Sequence, residues 1–464
     1  MGAPPGCAAR PVAGAVGSPS ADAARHTALT DLLVDDGAPL RDRPPYSWSV
    51  MPLTGPAPTP AGTPAPGPTR APRPAGDAGR LLADYRDGSV WFSADRRHHL
   101  GTGTRRELSS AEGIGPGLSA STTSALRHDR DHGGPGIALG ALPFGPGTPA
   151  ALRIPDTVHR AAGTVGNVTA GLPADLVDLV PHPGEADYAH AVATALLRLR
   201  AEDDDLRKVV LSRTLRARTP APVDVRVLLT RLLSADPDAF VYAVDLPRDP
   251  ARDEPGGGPR TLVGASPELL LARHGDTVTA CPLAGSAPRC EDPAEDARRA
   301  RALLSSAKDL TEHAVVADAV RGALAPWCRD LDVPAVPELR SSATLWHLAT
   351  PVTGVLASSS TTSLDLLAAL HPTPAVCGVP VDAARRLIGD LEPFDRRYFT
   401  GAVGWCDADG DGEWAVTIRC AEVHDRTVTL FAGAGIVAAS DPDAEVAETA
   451  AKFRTSLAAL GVGA

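Results

Sequence analysis

Long apolar runs are missing from this chain of 464 residues: none reaches 18, and the N-terminus lacks a basic segment followed by an apolar core. Neither a membrane span nor secretion is therefore expected. Basic runs are missing too, with no five consecutive Lys/Arg and a formal net charge of -11. A polyanion such as nucleic acid would find no electrostatic footprint here. Cys7, Cys281, Cys290, Cys328, Cys377, Cys406 and Cys420 form an odd set with no C-x-x-C spacing. That argues against a disulfide framework and a zinc site, and for reduced thiols in a cytoplasm. No internal repeat is present.

What is present is unevenly distributed. Residues 1–80 are dominated by Pro, Gly, Ala, Ser and Thr, ending in G-P-A-P-T-P-A-G-T-P-A-P-G-P-T-R-A-P-R-P. Such a segment buries too little apolar area to offset its ordering entropy, so disorder is expected. Within it A-L-T-D-L-L-V at Ala28–Val34 could form a turn or two of helix, but isolated helices that short are marginal in water. The texture changes at about Leu81, which sets a folded body of residues 81–464. Strands are expected at Ser89–Ala94, Gly136–Phe144, Lys208–Thr214, Phe240–Asp245, Leu262–Ala265 and Glu268–Ala272. Tyr188, Val192, Leu196 and Leu199 fall at helical spacing, a second helix should run from Asp292 to Trp327 with a break near Ser305, and a third from Pro442 to Leu460. The irregular order, with hairpin-like pairs late in the chain, indicates α+β rather than a doubly wound sheet.

Ionisable residues inside the apolar runs carry the chemical signal. Lys208 opens V-V-L, and Glu268 sits between Pro267 and L-L-L, where alternation places it on one sheet face with Leu270. Residues so placed suggest a base and an acid. Glu312 follows Asp309 by one turn and precedes Val315 and Val316, so its carboxylate projects from the apolar side of its helix. Glu445, Glu448 and Lys452 fall at i, i+3 and i+7 on another helix. Carboxylates from two helices can hold Mg2+, which takes few protein oxygens and completes its shell with water and an anionic substrate; solvated helix faces would give the same pattern. F-A-G-A-G-I-V at Phe431–Val437 reads as a strand, a glycine turn and an approach to a helix, exposing N–H groups to an anion, although a bare G-x-G is commonly just a tight turn. Arg419, inside V-T-I-R-C-A, needs a partner if buried, either a carboxylate ligand or an internal salt bridge.

Three patterns are set aside. D-A-D-G-D-G-E at Asp407–Glu413 begins like a calcium loop, but its twelfth position is Ile418 where a bidentate Glu is required, so a hairpin turn is expected. R-H-D-R-D-H-G-G at Arg127–Gly134 is expected as a solvated loop. His347 in T-L-W-H-L-A-T fits a hydrogen-bonded core histidine as well as a site wall.

Taken together, K-V-V-L-S-R, L-V-G-A-S-P-E-L-L, P-L-A-G-S, S-A-K-D-L-T-E-H, T-L-W-H-L-A-T-P, H-P-T-P-A-V-C-G-V-P, L-E-P-F-D-R-R-Y-F-T-G-A-V-G-W-C, G-E-W-A-V-T-I-R-C-A and F-A-G-A-G-I-V resemble the chorismate-utilising enzymes, specifically isochorismate synthases of siderophore pathways that feed 2,3-dihydroxybenzoate production. The resemblance runs from about Ser89 to the C-terminus. It implies one large chorismate-binding domain of mixed, mainly antiparallel sheets with packed helices. It also implies that Mg2+ holds the ring carboxylate of chorismate while water attacks C2 and the C4 hydroxyl departs.

On this resemblance Lys208 matches the general base and Glu268 the general acid. Glu312 and Glu448 match the magnesium ligands, with Asp309 and Glu445 as acidic neighbours. Arg419, Gly433 and Lys452 match contacts to the substrate's carboxylates, and Gly285, His347, Ala375 and Phe399 positions lining the ring. Thr311 departs from the usual D-x-H-E-H wording. Burial amid leucines should push the Glu268 carboxyl up so that it holds a proton. Anthranilate synthases carry glutamine where Lys208 stands and aminodeoxychorismate synthases lysine where Ala284 stands; neither is present. A salicylate synthase shares the catalytic set, a menaquinone-pathway enzyme shares the reaction, and a catalytically silent chorismate-binding protein is the alternative of a different class. A cytoplasmic monomer is expected, with a downstream isochorismatase as its pathway partner.

Overall fold

Near-continuous apolar runs such as Val90–Ala94 and the first half of Lys208–Arg218 are covered on both faces, as central strands between layers must be. The computed structural model describes residues 77–110, 113–166, 177–248 and 258–459. Residues 1–76, with the short helix expected at Ala28–Val34, lie outside them. A helix at Asp77–Ala83, with Leu81 and Leu82 buried, is the first described element.

The described strands form three sheets whose neighbours pair antiparallel. A ten-stranded sheet runs in the order Gly378–Val379, Lys208–Arg218, Thr427–Ile436, Cys420–His424, Arg260–Ser266, Phe240–Asp245, Val90–Ala94, Arg97–Thr102 and Thr157–Ala162, with Val177–His182 also pairing Lys208–Arg218. A nine-stranded sheet runs Cys328–Asp332, Val352–Leu356, Thr277–Cys281, Leu269–His274, Gly412–Val416, Ala402–Asp407, Ile137–Leu142, Ala151–Ile154 and Arg106–Leu108. Leu283–Pro288, Leu345–Ala349 and Glu338–Ser341 form the third. The two large sheets touch: the His99 ring of one lies 5.6 Å from Trp405 of the other. Helix Val225–Ala235 covers the first sheet through Leu228, Leu229, Leu232 and Leu233, and helices Ala307–Leu324 and Ser363–Leu370 cover the second. The architecture is the expected α+β.

Two crossovers position the site. Arg260–Ser266 belongs to the first large sheet and Leu269–His274 to the second, so Pro267 and Glu268 are the link where the chain changes sheets. The return passage runs alongside it: Gly412–Val416 pairs Leu269–His274, Cys420–His424 pairs Arg260–Ser266, and Thr417, Ile418 and Arg419 form the second link. Backbone bonds tie the links together, Val416 N–H to the Glu268 carbonyl at 3.1 Å and Ala265 N–H to the Arg419 carbonyl at 3.1 Å. Glu268 and Arg419 were expected inside strands and instead turn between them. Pro267 lacks the N–H a ladder needs, and Arg419 has φ +53°, outside the extended region.

The three expected helices are present, at Glu185–Leu199, at Pro293–Leu304 and Ala307–Leu324 with the break between them, and from Pro442 to Ala459, where the Asp441 carboxylate accepts the N–H of Asp443 and Ala444 as a cap; helices Val225–Ala235, Ser363–Leu370 and Val381–Leu391 were not foreseen. Asp407–Glu413 is the hairpin turn expected, the Asp407 carboxylate accepting the N–H of Asp409 and Asp411. Arg127–Gly134 is corrected: Pro116–Asp131 is one helix, and the polar run forms its last turn and cap. The described cysteines are all free, and no described helix is long and apolar enough to cross a membrane.

Candidate active site

Lys208 stands at the start of its strand, 1% exposed, and its Nζ lies 2.8 Å from Glu312 Oε1. That contact exists because Gly435, on the neighbouring strand, has no side chain: a Cβ there would lie 2.5 Å from Glu312 Oε1 and 3.0 Å from Lys208 Cε. The F-A-G-A-G-I run is corrected accordingly. It is no glycine turn but continuous strand, Thr427–Ile436, paired residue by residue with Lys208–Arg218. Gly433 faces Ser212, whose N–H goes to Glu392 instead, so the polar groups of Gly433 point away from that strand; its carbonyl accepts from Lys452 Nζ at 2.7 Å. Gly435→Ala is expected to displace Lys208 and Glu312 and lower kcat/KM by roughly 10²-fold with the fold intact. Wild-type kcat/KM in that variant would show that the pair tolerates displacement.

Glu268 is 3% exposed, and the Leu283 N–H reaches its Oε1 at 3.4 Å. Burial pushes its carboxyl up to about 8, against the smaller opposing pulls of the Leu283 N–H and the Lys208 charge. Glu268 is thus an acid that carries its proton at neutral pH. At the parallel crossover, Arg419 Nη1 is buried without a hydrogen-bond partner. Burial lowers its guanidinium to about 10, still fully charged at neutral pH. A buried cationic donor without a partner is suited to receive an anionic one.

Helices Ala307–Leu324 and Pro442–Ala459 bring four carboxylates together. Asp309 is raised by burial and by Glu312, and Glu445 by burial and by Glu448. Glu448 is lowered, burial being outweighed by Lys452, whose Nζ is 2.7 Å away at i+4. Glu445 is 1% exposed, and its Oε2 has no hydrogen-bond partner. Crowded carboxylates with an unpartnered buried oxygen fit a cation. Among the described residues no three His, Cys, Asp or Glu groups are arranged to hold a metal unaided, so protein oxygens here could supply only part of a shell.

One cavity joins these groups. Its lining includes Glu268, Gly285, Asp309, Glu312, His347, Ala375, Phe399, Arg419, Gly433, Glu448 and Lys452. Lys208 and Glu445, the most buried members, lie behind it, held by Glu312 and by Lys308. Phe399 stacks on Phe431 with centroids 4.9 Å apart. Gly285 has φ +78°, and a Cβ there would meet that of Asp309 at 3.0 Å. His347 is neutral, lowered to about 3 by burial and then by Arg419 and Lys452, with its Nε2 unpartnered. Thr311 is exposed and bonds the Ala307 carbonyl, so it does not face the cavity. Sequence reasoning missed Lys308, Thr400, Ile418, Phe431 and Gly435 on the wall; only the glycine spacing offered a signal.

Two large sheets and a smaller third place this acid, lysine and carboxylate set around one cavity, the arrangement of an enzyme's active site. The chain belongs to the chorismate binding enzymes, whose family model matches residues 173–461. It is 45% identical over 394 residues to the isochorismate synthase DhbC of Bacillus subtilis, covering 83% of this chain and 96% of that protein. It is 52% identical over 328 residues to a candidate isochorismate synthase, MenF, of Mycobacterium tuberculosis, covering 70% of this chain and 87% of that one. A crystal structure of DhbC from Bacillus anthracis, described as a candidate 2,3-dihydroxybenzoate-specific isochorismate synthase, superimposes with TM-score 0.75 at 43% identity, covering 83% of this chain and 99% of that one.

Proposed function

We propose that the protein is an isochorismate synthase: water adds at C2 of chorismate, the double bonds shift, and the C4 hydroxyl leaves as water. The observation that carries the reading is Glu268, a buried acid held in its protonated form on the wall of a cavity that also presents the unpartnered Arg419. Lys208, having passed its own proton to solvent as the contact with Glu312 is released, takes a proton from the attacking water as a neutral amine. Glu268 delivers its proton to the departing hydroxyl, and solvent exchange restores both groups. Arg419, Lys452 and the Gly433 backbone bind the two carboxylates of the substrate, while Gly285, His347, Ala375 and Phe399 enclose the ring. Glu312 and Glu448, backed by Asp309 and Glu445, would hold Mg2+, which supplies positive charge to fix the ring carboxylate.

Because Glu268 acts as an acid, kcat/KM is expected to fall as pH rises through about 8. A profile flat from neutrality into the alkaline range would remove Glu268 from that role. The reaction is tested by incubating the purified full chain with chorismate, with and without Mg2+, and resolving products over time. Isochorismate without pyruvate, reaching a plateau with residual chorismate, is the expected result; salicylate with stoichiometric pyruvate would reassign it as a salicylate synthase.

The product is assigned to 2,3-dihydroxybenzoate synthesis in the cytoplasm, through a downstream isochorismatase. The reading rests on the match to the Bacillus anthracis protein described as 2,3-dihydroxybenzoate-specific. The catalytic domain is assigned to residues 81–464, preceded by the Pro-rich extension of residues 1–80.

A further inference from the structure

Lys308 lines the cavity yet has no role in the reaction above. It occupies the second position of helix Ala307–Leu324, after the Ser306 cap. A cation there meets the positive end of the helix dipole, so local helix electrostatics disfavours it. Its attraction comes from elsewhere: Nζ lies 3.5 Å from Glu445 Oε1 on the last helix. Glu445 is the carboxylate with an unpartnered second oxygen, and Glu448 is one turn further along.

Three lysines answer this acidic cluster, and they differ in how firmly they are held. Lys208 is 1% exposed against Glu312. Lys452 is 19% exposed and fixed twice, by Glu448 and by the Gly433 carbonyl, each at 2.7 Å. Lys308 is 41% exposed and makes one long contact. A flexible, solvent-reaching side chain can leave without stranding a buried charge of its own. The other two cannot.

We propose that Lys308 is a displaceable counter-charge: it neutralises Glu445 and the neighbouring carboxylates in the metal-free protein and weakens their affinity for a divalent cation, swinging to solvent when the cation enters. The inference rests on the carboxylates holding Mg2+, as proposed above. Removing the lysine lifts a repulsion against the ion, so binding should tighten when Lys308 is lost.

The test is direct Mg2+ titration of the full chain by calorimetry at pH 8, without turnover, on the wild type, Lys308→Met, Lys308→Arg, Glu312→Gln and Glu448→Gln. Mn2+ titration followed by electron paramagnetic resonance supplies a second readout. Lys308→Met is expected to bind about tenfold more tightly, the repulsion being partly screened by solvent, and Lys308→Arg to stay within about twofold because the charge is kept. Thermal melting checks that the variants fold. If Glu312→Gln and Glu448→Gln abolish binding while Lys308→Met binds equally or less tightly than wild type, the counter-charge role is wrong and the metal site stands. Undiminished binding in both glutamine variants would remove the metal site itself and this inference with it.

Discussion

Glu268→Gln and Lys208→Ala are each expected to lower turnover of chorismate by about 10²- to 10⁴-fold while leaving a folded protein. The glutamine keeps the shape and one hydrogen-bonding oxygen of the side chain but has no transferable proton, so the loss falls on departure of the C4 hydroxyl. Lys208→Ala removes the base and also leaves Glu312 without its partner, so some loss of stability should accompany the loss of rate. Steady-state kinetics with melting curves separates the two effects. Near-normal turnover in either variant would sink the assignment.

Glu268 adds a check independent of catalysis. Its folded pKa, about 8, lies above the ordinary 4.5. The folded state therefore holds a proton that the unfolded chain has released, and the group's contribution to stability is full below the ordinary value and lost as pH rises through about 8. Glu268→Gln should flatten that part of the stability profile. A decline persisting unchanged would place its origin in another group.

Much of the site is legible in the sequence because its members sit in apolar runs where charge is out of place. Lys208 stood out in this way and Glu312 by projecting from the apolar side of its helix, whereas Glu448 was marked only by its helical spacing with Glu445 and Lys452. What the pattern cannot carry is a change of sheet. The break between Leu262–Ala265 and Glu268–Ala272 was legible, and V-T-I-R-C-A read as an uninterrupted strand, but two-residue periodicity reports alternation and is blind to which sheet each half joins. Glu268 and Arg419 owe their meeting to two such changes side by side. F-A-G-A-G-I was misread for another reason. Glycine signals a turn when backbone freedom is what matters, whereas Gly435 is needed because Lys208 and Glu312 occupy the place of its side chain. Lys308 stayed invisible because its partner, Glu445, is 137 residues further along the chain.

The other large effect is expected at a pair that touches no substrate. Lys208–Arg218 is flanked on one side by two short partners, Gly378–Val379 near its start and Val177–His182 near its end. Between them the backbone has no strand to bond. Glu392 Oε1 accepts the Ser212 N–H at 2.8 Å, and Arg396 Nη2 donates to the Val210 carbonyl at 2.7 Å. The two side chains, 3% and 2% exposed, pair with each other and so replace the missing strand. Removing one partner leaves a buried charge and an open backbone group, which costs ~3–5 kcal/mol. Glu392→Ala and Arg396→Ala are each expected to melt well below the wild type. The double variant should lose less than the sum, since no lone buried charge remains. Arg396 also bonds the Val376 carbonyl at 2.7 Å and lies over the Phe399 ring at 5.9 Å, both on the cavity wall. Whatever fraction of either single variant folds should therefore bind chorismate with raised KM. Melting and KM unchanged from wild type in the single variants would show that the strand holds its place without the pair.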